Sequence, residues 1–351
     1  MNVKKMLLAD ETLFRNEEVF DFSYVPENFI HRGDQLHALA HCIKPAMRGS
    51  KPLNAVLYGL PATGKTTAIK TVFQQLEDTT EKIVAVHVNC QIHSSQLRIF
   101  SEIHKKIFGF LPPETGIPLS NIYDKVFQRI SKEKKILMVA LDDMNYLPNS
   151  DKVLYDLLRA YESYPNVKTG VFAVMQKNDT YKLSDKVRSV FQPNAVNFPL
   201  YTRNEISDIL KNRINTGLYP NVLSRPLLEK IVYITHERSD LRFGIELLKQ
   251  AVLQAEADAS RTIKDVHVNK AVSSMKMDKE LGETEAVILE LIDNQAITSG
   301  RLYKLFKSRI DMSYSSFYRL LSRLKASGMI KIDTKALKKG KTRVISRTFK
   351  S

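Results

Sequence analysis

The chain reads as an α/β protein in three parts: a phosphate-loop αβα core on a parallel sheet, a helical lid, and a C-terminal winged helix-turn-helix. Three observations predict this. The octapeptide Gly59-Leu60-Pro61-Ala62-Thr63-Gly64-Lys65-Thr66 fills the pattern G-x-x-x-x-G-K-[ST], between an apolar run at 53–58 and a helical stretch. A second apolar run, Ile136 to Leu141, ends in the carboxylates Asp142 and Asp143. From Glu280 to Ser351 the chain carries 15 Lys and Arg against 7 Asp and Glu, so a net charge of +8 falls on about a fifth of its length.

The first motif marks a nucleoside triphosphate site. Glycines let the backbone wrap the phosphates, and the following helix N-terminus faces the anion. Lys65 reaches the β- and γ-phosphates of ATP, or the β-phosphate of ADP, and the Thr66 hydroxyl is a ligand for Mg²⁺. Gly59, Pro61, Ala62, Thr63, Gly64 and Thr67 complete the expected cradle. An uninterrupted apolar run fits a central parallel strand covered on both faces, so 136–142 reads as the Walker B strand, with Asp142 as the second Mg²⁺ holder. Asp143 stands where many such ATPases carry a Glu that polarises the attacking water. Asp is one methylene shorter, so hydrolysis is expected to be slow. Val171 to Met175 reads as another buried strand, and Asn178 just beyond it could bond the γ-phosphate or the attacking water.

The next part is helical. Thr202-Arg203-Asn204-Glu205 is a capping box before an apolar run, and the helical region is expected to extend to about Met277, with a linker at 276–282. The core is assigned to 1–200, the lid to 201–278 and the winged helix to 279–351.

In the last part, 283–293 reads as an amphipathic helix and a second starts with Ser299 as N-cap. A third runs from Ser313 to Gly328, with Phe317, Leu320, Leu321 and Leu324 spaced i, i+3, i+4, i+7. Its other face carries Ser313, Tyr314, Ser315, Ser316, Tyr318, Arg319, Ser322 and Arg323. Two short strands, 329–332 and 343–349, flank a basic turn that includes Lys338, Lys339 and Lys341, with Arg343 beside it. In such a module the third helix enters the major groove of duplex DNA while the wing contacts phosphates.

Composition agrees. Length 351 with 43% apolar residues allows two or three ordinary cores, and a net charge of +15 with pI about 9.5 exceeds what nucleotide binding needs, pointing to nucleic acid. Only Cys42 and Cys90 occur, without metal-ligand spacing, which fits a reducing compartment. The opening apolar segment is too short for a signal peptide, and no apolar run approaches a membrane span. A cytoplasmic, nucleoid-associated protein with no membrane partner is expected.

Taken together, the residues resemble the archaeal origin-recognition and helicase-loader initiators of the AAA+ ATPase superfamily, over almost the whole chain. The resemblance rests on 16–20, Tyr24-Val25-Pro26, His31-Arg32, 45–49, 154–159, Asn178-Asp179 and Asp240-Leu241-Arg242. It implies that Val25, Pro26 and Arg32 lie near the adenine, that Asn178 is sensor 1, and that Arg242 reaches from the lid to the phosphates. Segment 108–120 looks like the initiator-specific insertion, which touches DNA through a Pro-Thr-Gly-like turn; Thr115 and Gly116 hold that place, behind an inserted Glu114. The implied partners are double-stranded origin DNA, the replicative helicase and other initiator paralogues. Ser189-Val190-Phe191 departs from the Ser-Arg that ring-forming relatives use in trans, so a monomer with nucleotide as a conformational switch is the economical reading. A nucleotide-switched transcription regulator, a mobile-element accessory ATPase and a binding protein that keeps ADP permanently share these motifs.

Overall fold

A computed structural model describes residues 12–113, 118–177, 183–280, 283–292, 296–310, 312–326, 330–337 and 340–347; the side chains of 276–280, 283–286, 315, 319, 323, 326, 334–337 and 340–342 are also outside that description. The chain forms two compact units, 1–268 and 269–351.

The first unit is built on five strands, β1 (Ala55–Tyr58), β2 (Ile83–Asn89), β3 (Ile136–Asp142), β4 (Lys168–Met175) and β5 (Asn194–Asn197), in the order β2-β3-β4-β1-β5. All neighbours are parallel. Parallel pairing requires crossovers, and helices supply them on both faces. On one face lie α1 (Gly33–Met47) and α2 (Lys65–Thr79). On the other lie α3 (Gln96–Phe108), α4 (Leu119–Glu133), α5 (Ser150–Leu158) and α6 (Asp185–Val190). Strand β3 shows why its run is unbroken: Leu137, Val139 and Leu141 enter one core while Ile136, Met138 and Ala140 enter the other.

Four further helices follow: α7 (Arg203–Gly217), α8 (Arg225–Arg238), α9 (Leu241–Ala257) and α10 (Asp265–Glu280). The capping box at the start of α7 forms as expected. Glu205 N donates to Thr202 Oγ1 at 3.3 Å, and Thr202 N donates to Glu205 Oε2 at 2.7 Å. The N-terminal segment is strapped to this helical part. Phe14 bridges Leu218, Thr12 and Leu13 donate to Glu256, and Lys249 pairs with Glu17 and Asp21. The linker expected at 276–282 is instead helical as far as Glu280, because α10 continues. Nothing in 276–280 breaks a helix, and charge alone does not stop one.

The second unit contains most of α10, then α11 (Glu283–Leu291), β6 (Ile297–Thr298), α12 (Ser299–Lys307), α13 (Tyr314–Ala326), β7 (Ile330–Leu337) and β8 (Gly340–Arg347). The strands form an antiparallel sheet in the order β6-β8-β7. The predicted apolar stripe is its core, with Phe317, Leu320, Leu321 and Leu324 packed on Ile288, Leu302, Phe306, Ile330 and Ile345. Two expectations are corrected. Thr298, not Ser299, is the N-cap of α12. The two strands are longer than expected, pairing from Ile330↔Arg347 to Leu337↔Gly340, so much of the basic turn belongs to the ladder. Ladder hydrogen bonds come from the backbone, so basic side chains do not prevent the pairing.

Candidate functional site

The site lies where β1 and β3 end. The phosphate loop leaves β1 and enters α2, whose N-cap Gly64 is left-handed (φ 91). Gly59 (φ 152) has a further constraint, since a Cβ there would stand 2.2 Å from Phe198 O. Lys65 begins α2 and is nearly buried. Its Nζ donates to the carbonyls of Gly59 and Leu60, each at 2.7 Å. Burial lowers the Lys65 pKa, against the raising influence of Asp143 and Asp142.

Asp142 closes β3 and is 2% exposed. Its Oδ2 accepts from Thr66 Oγ1 at 2.8 Å and lies 3.0 Å from His87 Nε2, while Oδ1 accepts from Asp143 N at 3.1 Å. Burial by itself raises the carboxyl pKa. The hydrogen bonds from His87 and Thr66 outweigh it, with the His87 charge and the Asp143 amide, and hold Asp142 below the usual carboxylate value. Asp143 adopts the left-handed conformation (φ 54), which Asp tolerates better than most residues. Burial and the neighbouring Asp142 raise its pKa, while Lys65, Arg242 and His87 pull it down.

The lid reaches the same place. Asp240 caps α9 by accepting from Phe243 N at 3.2 Å, which sets Arg242 in the first turn facing the cavity. The cavity encloses about 740 Å³. At its cationic end stand Pro61, Ala62, Thr63, Gly64, Lys65, Thr66, Thr67, Asp142, Asp143 and Arg242; Val25 and Pro26 with Tyr24, Ile209, Arg213 and Ile245 also line it. The Arg213 guanidinium donates to Val19 O and lies 4.5 Å from the Tyr24 ring centroid. The first set suits a polyphosphate, and the second offers apolar groups that suit a flat base. The Thr66 hydroxyl and Asp142 carboxylate, touching at the cationic end, form the oxygen pair that Mg²⁺ prefers.

Two residues expected at the nucleotide are not among those lining the cavity. Arg32 does not line the cavity. It is buried beneath the loop, donating from Nε to Thr63 O (3.1 Å), from Nη1 to His31 O (3.0 Å) and from Nη2 to Pro199 O (2.7 Å), with its guanidinium 3.7 Å from the Tyr201 ring centroid. All three guanidinium nitrogens are engaged with backbone, so Arg32 props the loop. Gly59 also lies off the cavity, where the close approach of Phe198 requires it. Asn178, Thr115 and Gly116 lie outside the described residues.

Sequence reading missed His87. Its strand, β2, pairs with β3 in the register His87↔Ala140, a placement no local pattern announces. His87→Ala should leave the buried Asp142 carboxylate short of one charge-assisted bond, costing about 1–3 kcal/mol. Urea unfolding checks it, and an unchanged midpoint would contradict that role.

In the second unit, Ser313 Oγ accepts from Ser316 N at 3.3 Å and lies 3.0 Å from Ser316 Oγ at the start of α13. Tyr314 meets Tyr303 edge to face at 4.9 Å, and the Arg343 guanidinium stands 4.7 Å from the Tyr318 ring centroid. The side chains of Ser315, Arg319, Arg323 and Lys341, and all of Lys338 and Lys339, lie outside the description.

Residues 28–169 match the model of an AAA ATPase domain, and 207–273 that of the Cdc6 AAA+ ATPase-type lid domain. The chain is 45% identical over 97% of its length to ORC1-type DNA replication protein 2 of Methanothermobacter thermautotrophicus, covering 92% of that protein. It is 39% identical to the protein of the same name from Methanosarcina acetivorans, over 100% of this chain and 97% of that one. Among solved structures, the Aeropyrum pernix ORC1 protein in complex with DNA superposes with TM-score 0.80 at 25% identity, over 96% of this chain and 94% of that one. Among the described residues no helix is long and apolar enough to cross a membrane. With its phosphate loop, Walker B strand and lid arginine on one cavity, the chain belongs to the archaeal Orc1/Cdc6 family of ORC1-type DNA replication proteins, built on an AAA+ core.

Proposed function

We propose that this protein is an ATP-dependent initiator that binds duplex replication-origin DNA, with nucleotide acting mainly as a conformational switch and hydrolysis slow. The observation that carries this reading is one cavity on which the phosphate loop, the end of β3 and the first turn of α9 meet. A ligand touching all three stabilises whichever lid position lets Arg242 reach it, and that differential contact is what a switch needs. Lys65 and Arg242 neutralise phosphate charge, and Val25 and Pro26 cover the base. Mg²⁺, when bound, adds charge neutralisation at the β- and γ-phosphates, held by Thr66 and Asp142. Asp143 orients the attacking water, with Asn178 as sensor.

The second unit acts as a winged helix. Its α13 reads the major groove through Tyr314, Ser315, Ser316, Tyr318, Arg319 and Arg323, and the β7–β8 hairpin sets Lys338, Lys339, Lys341 and Arg343 on phosphates. Thr115 and Gly116 add a contact from the first unit. The partners include the replicative helicase and initiator paralogues, in the cytoplasm at the nucleoid. Arg188, the nearest candidate for a trans arginine, is paired with Asp185 of its own helix, which favours a monomer without a finger.

Binding of the full-length protein to cognate and random duplexes over a salt series tests the DNA reading. Arg319→Ala or Arg323→Ala should lose about 1–3 kcal/mol of preference for the cognate site. Lys338→Ala with Lys339→Ala should weaken both duplexes alike and reduce the salt slope by roughly 0.9 per lysine. Arginine variants that weaken both duplexes equally contradict base reading. Genomic footprints at a few repeat clusters near replication starts favour the initiator; footprints at many promoters favour a regulator.

A further inference from the structure

Residues 12–24 precede the core in sequence, yet the lid holds them. Arg15 N and Asn16 N both donate to Gly217 O, at 2.8 and 3.1 Å, and Tyr219 N donates back to Leu13 O at 3.2 Å. A Cβ on Gly217 would stand 2.4 Å from the Phe20 ring, so α7 ends on a residue that lets the segment lie close. Two residues of α9 fix it from the side. Glu256 Oε1 accepts from Thr12 Oγ1 and Leu13 N, each at 2.7 Å, and Lys249 Nζ stands 3.1 Å from Glu17 Oε1 and 3.0 Å from Asp21 Oδ1. Arg213 of α7 donates to Val19 O. Phe14, Val19 and Phe20 are buried. Among the described residues, every hydrogen bond and ion pair that leaves 12–24 ends on the lid, between Arg213 and Glu256.

The stretch that follows lines the nucleotide cavity with Tyr24, Val25 and Pro26. A few residues on, Arg32 ties the chain to the phosphate loop through Thr63 O. The cavity-lining stretch therefore hangs between an anchor on the lid and an anchor on the loop. Only Phe22, Ser23 and Tyr24 separate Asp21 from Val25, too short a length of chain for one to shift far without the other.

We propose, on the reading that Val25 and Pro26 cover the base, that Lys249, Glu256 and Arg213 are positioning residues that mount this cover on the lid. Affinity for the adenosine half of the nucleotide then depends on where the lid stands. A lid that moves carries the cover with it, so both halves of the ligand sense its position: the phosphates through Arg242, the base through 24–26. A cover fixed to the core would keep its grip wherever the lid went, and would add nothing to the coupling.

The test is titration of the full-length protein with ADP and with inorganic pyrophosphate, which keeps the diphosphate and lacks the adenosine. The wild type should bind ADP at least about tenfold more tightly, the share of affinity that the adenosine contributes. Lys249→Glu sets a carboxylate against Glu17 and Asp21; it should weaken ADP about tenfold and pyrophosphate less than about twofold, because only the fraction of molecules with the cover in place binds the base well. Lys249 is not among the residues lining the cavity, and a long-range effect of the reversed charge would weaken pyrophosphate at least as much as ADP. Adding Glu17→Lys to Lys249→Glu restores one ion pair and should recover about threefold of the lost ADP affinity. If the reversal unfolds the protein, Lys249→Ala decides by the same ratio, with a loss of about threefold for ADP alone. An unchanged ratio of ADP to pyrophosphate affinity, an equal loss of both ligands, or no recovery in the charge exchange overturns the mounting. A wild type that binds pyrophosphate as tightly as ADP overturns the base cover itself, and the mounting with it.

Discussion

Lys65→Ala is expected to lower ATP and ADP affinity by on the order of a thousandfold. The ammonium is nearly buried, and burial already depresses its pKa, so its charge is little screened by water. Removing one member of such a pairing costs about 3–5 kcal/mol, because the anion is left facing a site without its counter-charge. Lys65 Nζ also ties together the carbonyls of Gly59 and Leu60, so the variant should melt somewhat earlier. Calorimetric titration with ADP separates the two effects. Unchanged ADP affinity would remove Lys65 from the site.

Asp143→Asn should reduce ATP hydrolysis by on the order of a hundredfold while leaving ATP binding largely intact, the scale of a lost general base. Asn keeps the shape and tolerates the left-handed backbone that Asp143 adopts, so the turn after β3 should survive. The pH dependence gives a second reading. Burial and Asp142 raise the Asp143 pKa, so its carboxyl takes up a proton at a higher pH than an ordinary carboxylate. A rate that needs the ionised form is full above that pKa and lost as pH falls through it. An acid limb that reports this carboxylate should therefore be present in the wild-type profile and vanish in Asp143→Asn. Hydrolysis by the Asn variant at the wild-type rate rules out a catalytic carboxylate.

The same backbone angle bears on why Asp stands where a Glu is common. Its extra methylene would extend reach, but a longer side chain sits less easily at φ 54 than Asp or Asn does. A sequence motif records the shorter side chain and not the turn that favours it. Arg32 is a parallel case. The family resemblance implied a base contact, yet the three backbone carbonyls that engage it come from His31, Thr63 and Pro199. Planar forks seek several acceptors at once, and the fold gathered them under the loop rather than in the cavity.

What the sequence by itself determined was everything governed by near neighbours in the chain. The phosphate loop, the buried Walker B strand, the capping box at Thr202 and the apolar stripe from Phe317 to Leu324 are set by periodicity, caps and glycine conformations that span a turn or a strand. The tertiary structure alone decided which distant groups meet. His87 reaches Asp142 because β2 pairs with β3; Gly59 must be glycine because β5 leads Phe198 against it; Arg242 faces Asp143 because the lid folds back over β3. Such meetings follow from crossover connections and core packing between elements far apart in the chain, where no local spacing rule operates.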